Sequence, residues 1–244
     1  GDAKSPRVAI AAQSARSRIK SSMRIKPRRL KALLFDAGDV IYHRPRRGSL
    51  LGPYLNRLGL SEGDADRNQL LKLKQLAHAG IISKEKYQDD FLCAYGIASA
   101  AARAEGSLIL DAEQADVEFF DGVPGTLRRL KDRGIKLGIV TNTYNTTAEK
   151  LQWFCRVGID RCWDSFATSC ELKVCKPDPR IYRAALEPMG VKVNRAAFVG
   201  HAATELLGAK NLGMATIAFN CDPDVVSADF VIAKFADLLS LVEL

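Results

Sequence analysis

Leu33-Leu34-Phe35-Asp36-Ala37-Gly38-Asp39-Val40-Ile41 is the stretch from which the fold can be read. A short apolar run ends in a carboxylate, and turn residues follow before apolar residues resume. Such a run, bounded by turn signals, reads as a strand buried on both faces of a parallel sheet. An aspartate at the C-terminal end of that strand stands where open α/β sheets bind ligands, in the crevice outside the strand ends. Alone, Asp36 could equally close a turn or cap a helix. Segments further along the chain decide between the two.

Downstream of Gly122 the pattern alternates. A helix from Val123 ends at Gly134, and Lys136 to Thr141 reads as a buried strand. Helix Thr147 to Val157, strand Asp164 to Ser169 and helix Asp178 to Pro188 follow. Strand Ala196 to Gly200, helix Ala203 to Leu212 and strand Thr216 to Phe219 come next, and Phe230 to Ile232 with a closing helix ends the series. Strands alternating with helices imply right-handed crossovers and a doubly wound parallel sheet, an α/β fold. Residues 50–118 break the rhythm. They carry helical stripes such as Leu70, Leu73, Leu76 and Ala77, an N-cap at Ser83, and no strand signal. The expected division is a core domain from 31–49 and 119–244, with an inserted all-helical cap at 50–118 hanging over the strand ends. The turn from Ala37 to Ser49 links them, and the cap is expected to close with two helices, Ala98 to Glu105 and Asp111 to Phe119.

Composition sets bounds on partners. The 244 residues are 47% hydrophobic and 26% charged, ordinary for a globular protein. No apolar run approaches the roughly 18 residues of a membrane span, so no membrane partner is expected. Residues 1–31 hold ten Lys or Arg and one acid, a charge of +9, so the rest carries −1 of the total +8. Residues 1–30 therefore read as a basic, flexible extension; such a tail can bind nucleic acid or an anionic surface, but a solvated extension is the favoured reading and a nucleic-acid role through it is disfavoured. The six cysteines, Cys93, Cys155, Cys162, Cys170, Cys175 and Cys221, form no Cys-x-x-Cys pair. They read as reduced, mostly buried thiols of a cytoplasmic protein. The sequence leaves the oligomeric state open, a homodimer included.

Chemistry gathers at the expected strand ends. Asp36 follows the first strand, Thr141-Asn142 the second, and Gly200-His201 with Glu205 a later one. Between them, Lys176-Pro177-Asp178-Pro179 aims a lysine from a rigid base that starts a helix. Carboxylate, hydroxyl and ammonium in that order suit phosphoryl transfer through a covalent intermediate. Asp36 would attack phosphorus and form an acyl phosphate. Lys176 would neutralise charge, and Thr141 would hydrogen-bond phosphate oxygens.

On Phe35-Asp36, Val140-Thr141-Asn142, Lys176-Pro177-Asp178-Pro179 and Val199-Gly200…Gly208-Ala209-Lys210, the chain resembles the haloacid dehalogenase-like (HAD) hydrolases, which are mostly phosphatases. The resemblance covers about residues 31–244. It implies a Rossmannoid core with a helical cap that selects substrate. It makes Asp36 the nucleophile, Thr141 and Asn142 phosphate ligands, and Lys176 the charge clamp. It also implies Mg²⁺, with Asp36, the Gly38 carbonyl and Glu205 as ligands, and a small phosphorylated substrate. Arg44, Arg46 or Arg47 near the hinge would contact an anion. Two positions depart from the pattern. Gly38 stands where the family's phosphatases carry a second aspartate, and His201 where they carry a metal-binding one. Imidazole suits softer metals than Mg²⁺. Asp39, His43 or His201 could supply the missing acid and base. The alternatives are a catalytically weakened or inactive binding protein, and a metal-independent 2-haloacid dehalogenase.

Overall fold

The computed structural model describes residues 30–225 and 227–242. The basic extension expected at residues 1–30 lies outside the described residues, apart from Leu30. Six parallel strands form one sheet in the order β5-β4-β1-β6-β7-β8. These are β1 Ala32–Phe35, β4 Lys136–Thr141, β5 Ser165–Thr168, β6 Ala196–Gly200, β7 Ala215–Phe219 and β8 Phe230–Ile232. The register sets Phe35 beside Ile139 on one side and Val199 on the other. Successive side chains of a strand point to opposite faces. Leu33 and Phe35 accordingly join Leu127, Leu130 and Phe154 in one core layer, while Ala32 and Leu34 join Ile181, Tyr182 and Leu206 in the other. β1 has β4 on one side and β6 on the other, so the winding reverses there. The residue after β1 thus opens into the crevice.

The insert is helical, as its pattern requires. Helices span Leu51–Arg57, Arg67–His78, Lys84–Ala94 and Ala100–Ala115. Asp66, Ser83 and Ser99 cap three of them by accepting from the backbone N–H groups of Asn68, Lys86 and Ala102. Tyr54, Leu55, Leu92, Tyr95 and Leu110 make the cap's own small core.

Three expectations need correction. The two helices expected at the end of the cap are one, running unbroken through Gly106 and Ser107. An interior glycine costs about 1 kcal/mol relative to alanine, but Gly106 packs against the cap core, where a Cβ would stand 2.9 Å from the Leu92 side chain and 3.2 Å from Tyr54. The loop Ala37 to Ser49 contains a strand, β2 Tyr42–His43, and the helix expected to reach Phe119 gives way to β3 Glu118–Phe119. The two pair antiparallel, Tyr42 opposite Phe119, and form the ribbon on which the cap is hung. Arg46 reaches across it to Asp116 and Glu118. Finally, only Cys162 of the six free thiols is buried, and Cys93, Cys155 and Cys221 are exposed.

The cap is docked against the core. The Tyr87 ring lies 4.6 Å from that of Tyr144, and Lys84 joins Asp111 of the cap to Glu149 of the core. Gly80, with φ +63°, presses on the Cys170 backbone, so that a Cβ there would stand 2.3 Å from the Cys170 carbonyl oxygen. Gly80→Ala adds both a clash and left-handed strain. It is expected to lower stability by about 1–3 kcal/mol, read by urea unfolding at constant m-value.

Candidate active site

Lys176 is the centre of a buried charge cluster. Its side chain is 0% exposed, and its Nζ lies 2.8 Å from Asp36 Oδ1 and 2.8 Å from Glu205 Oε2. Asp36 follows β1 directly and continues its ladder, its N–H donating to the Val199 carbonyl. Its Oδ1 also accepts from the Ala37 N–H at 2.7 Å. The other oxygen, Oδ2, faces His201 Nε2 at 3.6 Å. His201 Nδ1 in turn lies 3.4 Å from Asp222 Oδ1. The imidazole is thus aligned between two carboxylates.

Local structure explains how the lysine arrives there. The Asn142 side chain clamps the Lys176 backbone from both ends: its Oδ1 accepts from the Lys176 N–H at 2.8 Å and its Nδ2 donates to the Lys176 carbonyl at 3.2 Å. Pro177 follows, and Asp178 caps the helix Pro179–Leu186, which has Pro179 in its first turn. Gly208 lets the helix Ala203–Leu212 lie directly on this loop, since a Cβ there would stand 2.7 Å from Pro177 Cβ. That close approach brings Glu205, in the first turn of the same helix, onto Lys176.

The cluster sets its own ionisation. Burial alone would raise the Asp36 pKa, but the Lys176 charge, with a smaller contribution from His201, holds it below the ordinary carboxylate value. Burial would likewise lower Lys176, and Asp36 and Glu205 together raise it. Glu205 is pushed up to about 7 by burial and by the like charge of Asp36, against the pull of Lys176. Asp36 is therefore kept ionised, and Glu205 takes up a proton near neutrality.

Of the residues singled out in the sequence, Asp36, Lys176, Glu205 and His201 meet in one place. Thr141 closes β4 on the same sheet edge and is buried. The Asn142 side chain is engaged at both its polar ends by the Lys176 backbone. Asp39 adopts φ 57°, its N–H donates to the Tyr42 carbonyl, and its own carbonyl accepts from Asn220 Nδ2. His43 belongs to the hinge ribbon, packs on Phe120 at 5.0 Å between ring centroids, and shares no hydrogen bond or ion pair with Asp36, Thr141 or Lys176. Asp222 was missed. It lies just past the C-terminal end of β7, on the edge where the other functional groups gather, and that position was the available signal.

The residues present do not make a site for Mg²⁺. The ion prefers oxygen ligands in near-octahedral geometry. Glu205 Oε2 is engaged by Lys176, Asp36 has an ammonium at one oxygen and an imidazole at the other, and the position facing it is a histidine. Among the described residues no group of three or more His, Cys, Asp or Glu side chains is placed to hold a metal.

The family model described as haloacid dehalogenase-like hydrolase matches residues 30–213. A glyceraldehyde 3-phosphate phosphatase of Methanothermobacter thermautotrophicus is 35% identical over 113 residues, 46% of this chain and 49% of that protein. The (S)-2-haloacid dehalogenase 4A of Burkholderia cepacia is 38% identical over 96 residues, 39% of this chain and 40% of its own. The chain spans about half the length of the curated relatives it matches. The crystal structure of a 2-haloacid dehalogenase from Pseudomonas syringae superposes with a TM-score of 0.65 at 20% identity, covering 88% of this chain and 98% of that one. The crystal structure of a predicted phosphoglycolate phosphatase from Haemophilus somnus gives 0.62 at 18%, covering 87% and 98%. These two likenesses establish the fold.

The raised pKa of Glu205 has a definite consequence for stability. The folded chain binds that proton more tightly than the unfolded chain, whose value is near 4.5. The associated stabilisation is complete below 4.5 and is lost as pH rises through about 7. Glu205→Gln removes this dependence. Its stability relative to wild type is expected to improve between pH 5 and pH 8, read as the difference in urea midpoints at the two values.

Proposed function

The chain belongs to the haloacid dehalogenase-like hydrolases, and on that premise we propose that it is a phosphatase of a small phosphorylated metabolite, working through an aspartyl-phosphate on Asp36. The observation that carries the reading is a buried carboxylate held ionised by Lys176, with its second oxygen free to face His201. Asp36 Oδ2 attacks phosphorus, the ester P–O bond breaks, and the leaving oxygen takes a proton from His201. A water then gives its proton back to His201 and attacks the acyl phosphate at phosphorus. The Asp36–phosphate bond breaks, releasing inorganic phosphate and the original carboxylate. Lys176 offsets charge on the transferring group, and Thr141 hydrogen-bonds its oxygens. Asp222 orients the imidazole. His201 thus does the work for which Gly38 has no side chain.

The names of relatives support a phosphate substrate, a glyceraldehyde 3-phosphate phosphatase and a PpaX pyrophosphatase among them. Magnesium, which the family resemblance implies, would meet an Asp36 carboxylate already faced by Lys176 and His201, so each step here rests on the chain's own groups. The six free thiols suit a reducing compartment, and the cytoplasm is the proposed location. No helix among the described residues is long and apolar enough to cross a membrane.

A second reading, 2-haloacid dehalogenase, is favoured by one relative of that name and by a carboxylate flanked by an ammonium and an imidazole. Halide leaves without a proton, so that reaction needs His201 only for the hydrolytic half. Halide release from a 2-haloacid separates the two readings.

Hydrolysis of p-nitrophenyl phosphate is expected in wild type, equally with and without added Mg²⁺, and is abolished by Asp36→Asn. His201→Gln is expected to slow alkyl phosphate turnover by about 10²–10⁴-fold. A rapid burst of p-nitrophenolate should survive in that variant, because an aryl oxide leaves unaided and only the later hydrolysis lacks its base.

A further inference from the structure

The backbone pairing of β4 with β5 ends at Thr141 opposite Thr168. Past that point side chains take over. The Ser169 hydroxyl accepts from the Thr143 N–H at 2.9 Å and donates to the Thr143 carbonyl at 3.2 Å. The Asn142 side chain holds the Lys176 backbone by the same device, run in the opposite direction. A weaker cross-link lies between them, where the Cys170 thiol donates to the Asn145 carbonyl at 3.5 Å. Ser169 is fully buried and Thr143 nearly so. A buried peptide group that loses its partner costs more than its bond contributes, so these ties resist any drift of one stretch against the other.

The two stretches are those that carry the chemistry. One begins at Thr141, the proposed phosphate contact, and the other, 169–176, ends at the charge clamp. The second is tied at both ends, by Ser169 at its start and by Asn142 at its close. Between the ties run a short helix, Ser169–Leu172, and Lys173 in the left-handed region at φ 55°. Such a segment has no strand ladder of its own, so its place is set by its ends. With only the Asn142 tie it could pivot, and Lys176 Nζ would leave its station 2.8 Å from Asp36 Oδ1. Charge stabilisation of a transferring phosphoryl group depends on such placement, and a displacement of about 1 Å can cost about 10²-fold in rate.

We propose that Ser169 is a positioning residue of the phosphoryl transfer. Its hydroxyl locks the turn after β4 and the loop that carries Lys176 into one frame, and so fixes the ammonium against the transferring group. This rests on the phosphatase reading and deepens it. Ser169 touches no substrate and acts through Thr143 and the loop it begins.

Ser169→Ala deletes both bonds to Thr143. Its kcat for p-nitrophenyl phosphate is expected to fall by about 10²-fold, with KM kept within about threefold. Affinity for orthovanadate, which mimics the five-coordinate transferring phosphorus, should fall in parallel. Thr216→Val is the structural control. Thr216 is an equally buried hydroxyl that donates to the Asp229 carboxylate at 2.9 Å and accepts from the Asp229 N–H at 3.0 Å. It lies near the start of β7, not on the edge that carries Asp36. That variant should lose thermal stability as Ser169→Ala does, yet keep kcat, KM and vanadate affinity within about twofold of wild type. Ser169→Cys retains a weaker donor and acceptor in the same place. It should recover part of the lost kcat, and it stands in for Ser169→Ala if that variant does not fold. The inference is overturned if Ser169→Ala is no slower and binds vanadate no more weakly than Thr216→Val, or if its loss is confined to KM. A Ser169→Cys variant equal to wild type, where Ser169→Ala fails to fold, overturns it too. Failure of wild type to hydrolyse p-nitrophenyl phosphate would instead sink the phosphatase reading, and vanadate affinity would still decide this one. Wild type that binds no vanadate either overturns both.

Discussion

The Lys176 ammonium has no solvent contact, and nearby carboxylates replace its hydration. Taking such an ion out of water costs several kcal/mol even after relaxation. Lys176 meets the requirement with Asp36 and Glu205, each at 2.8 Å. The three residues come from three distant segments, and the fold's topology is what assembles them. β1 delivers Asp36 at the winding reversal, the Asn142 clamp fixes the lysine backbone, and Gly208 lets the glutamate-bearing helix close in. Two carboxylates on one ammonium leave an excess of negative charge, and the protein settles it by letting Glu205 titrate near neutrality while Asp36 stays ionised.

The same cluster explains the two departures from the family pattern together. With Lys176 at one oxygen of Asp36 and His201 near the other, an ammonium and an imidazole already occupy both sides of the carboxylate. A divalent cation placed there would meet repulsion and too few oxygen donors. The glycine at 38 is not forced by crowding, since a Cβ there would meet nothing within 4 Å. Space for an acid exists at that position, yet the proton-bearing group that points at Asp36 comes from β6, oriented by Asp222 from beyond β7.

Much of this was legible in residue order. Strands ending in functional residues, helices opened by Ser83 or Asp178 and the inserted cap all leave local signals, because hydrophobic period and capping chemistry act over a few residues. What escaped was non-local. β2 and β3 are two residues each, too short for alternation to register, and their pairing joins positions more than seventy residues apart. Asn142 looked like a ligand because it stands at a strand end, but its side chain turns to the Lys176 backbone across 34 residues of chain. Asp222 carries meaning only through His201. The cysteines looked buried because their type usually is, yet Cys155 and Cys93 fall on outward helix faces.

Net charge illustrates the same limit. Outside the basic N-terminal stretch the chain sums to −1, which describes a nearly neutral body. The acids, however, are spent unevenly. Asp116, Glu118, Glu105, Asp90 and Asp89 sit in largely exposed pairs on the cap and ribbon. Such pairs are worth about 0–1 kcal/mol each, but they withdraw negative charge from the cleft. Arg44 and Lys150 have no ion-pair partner among the described residues, and His78 is pushed down to about 4 by burial first and then by Lys74, Lys150, Lys176 and Arg44. Pairing geometry determines the field a substrate meets. A body of nearly zero net charge thereby keeps a local excess of positive charge around His78.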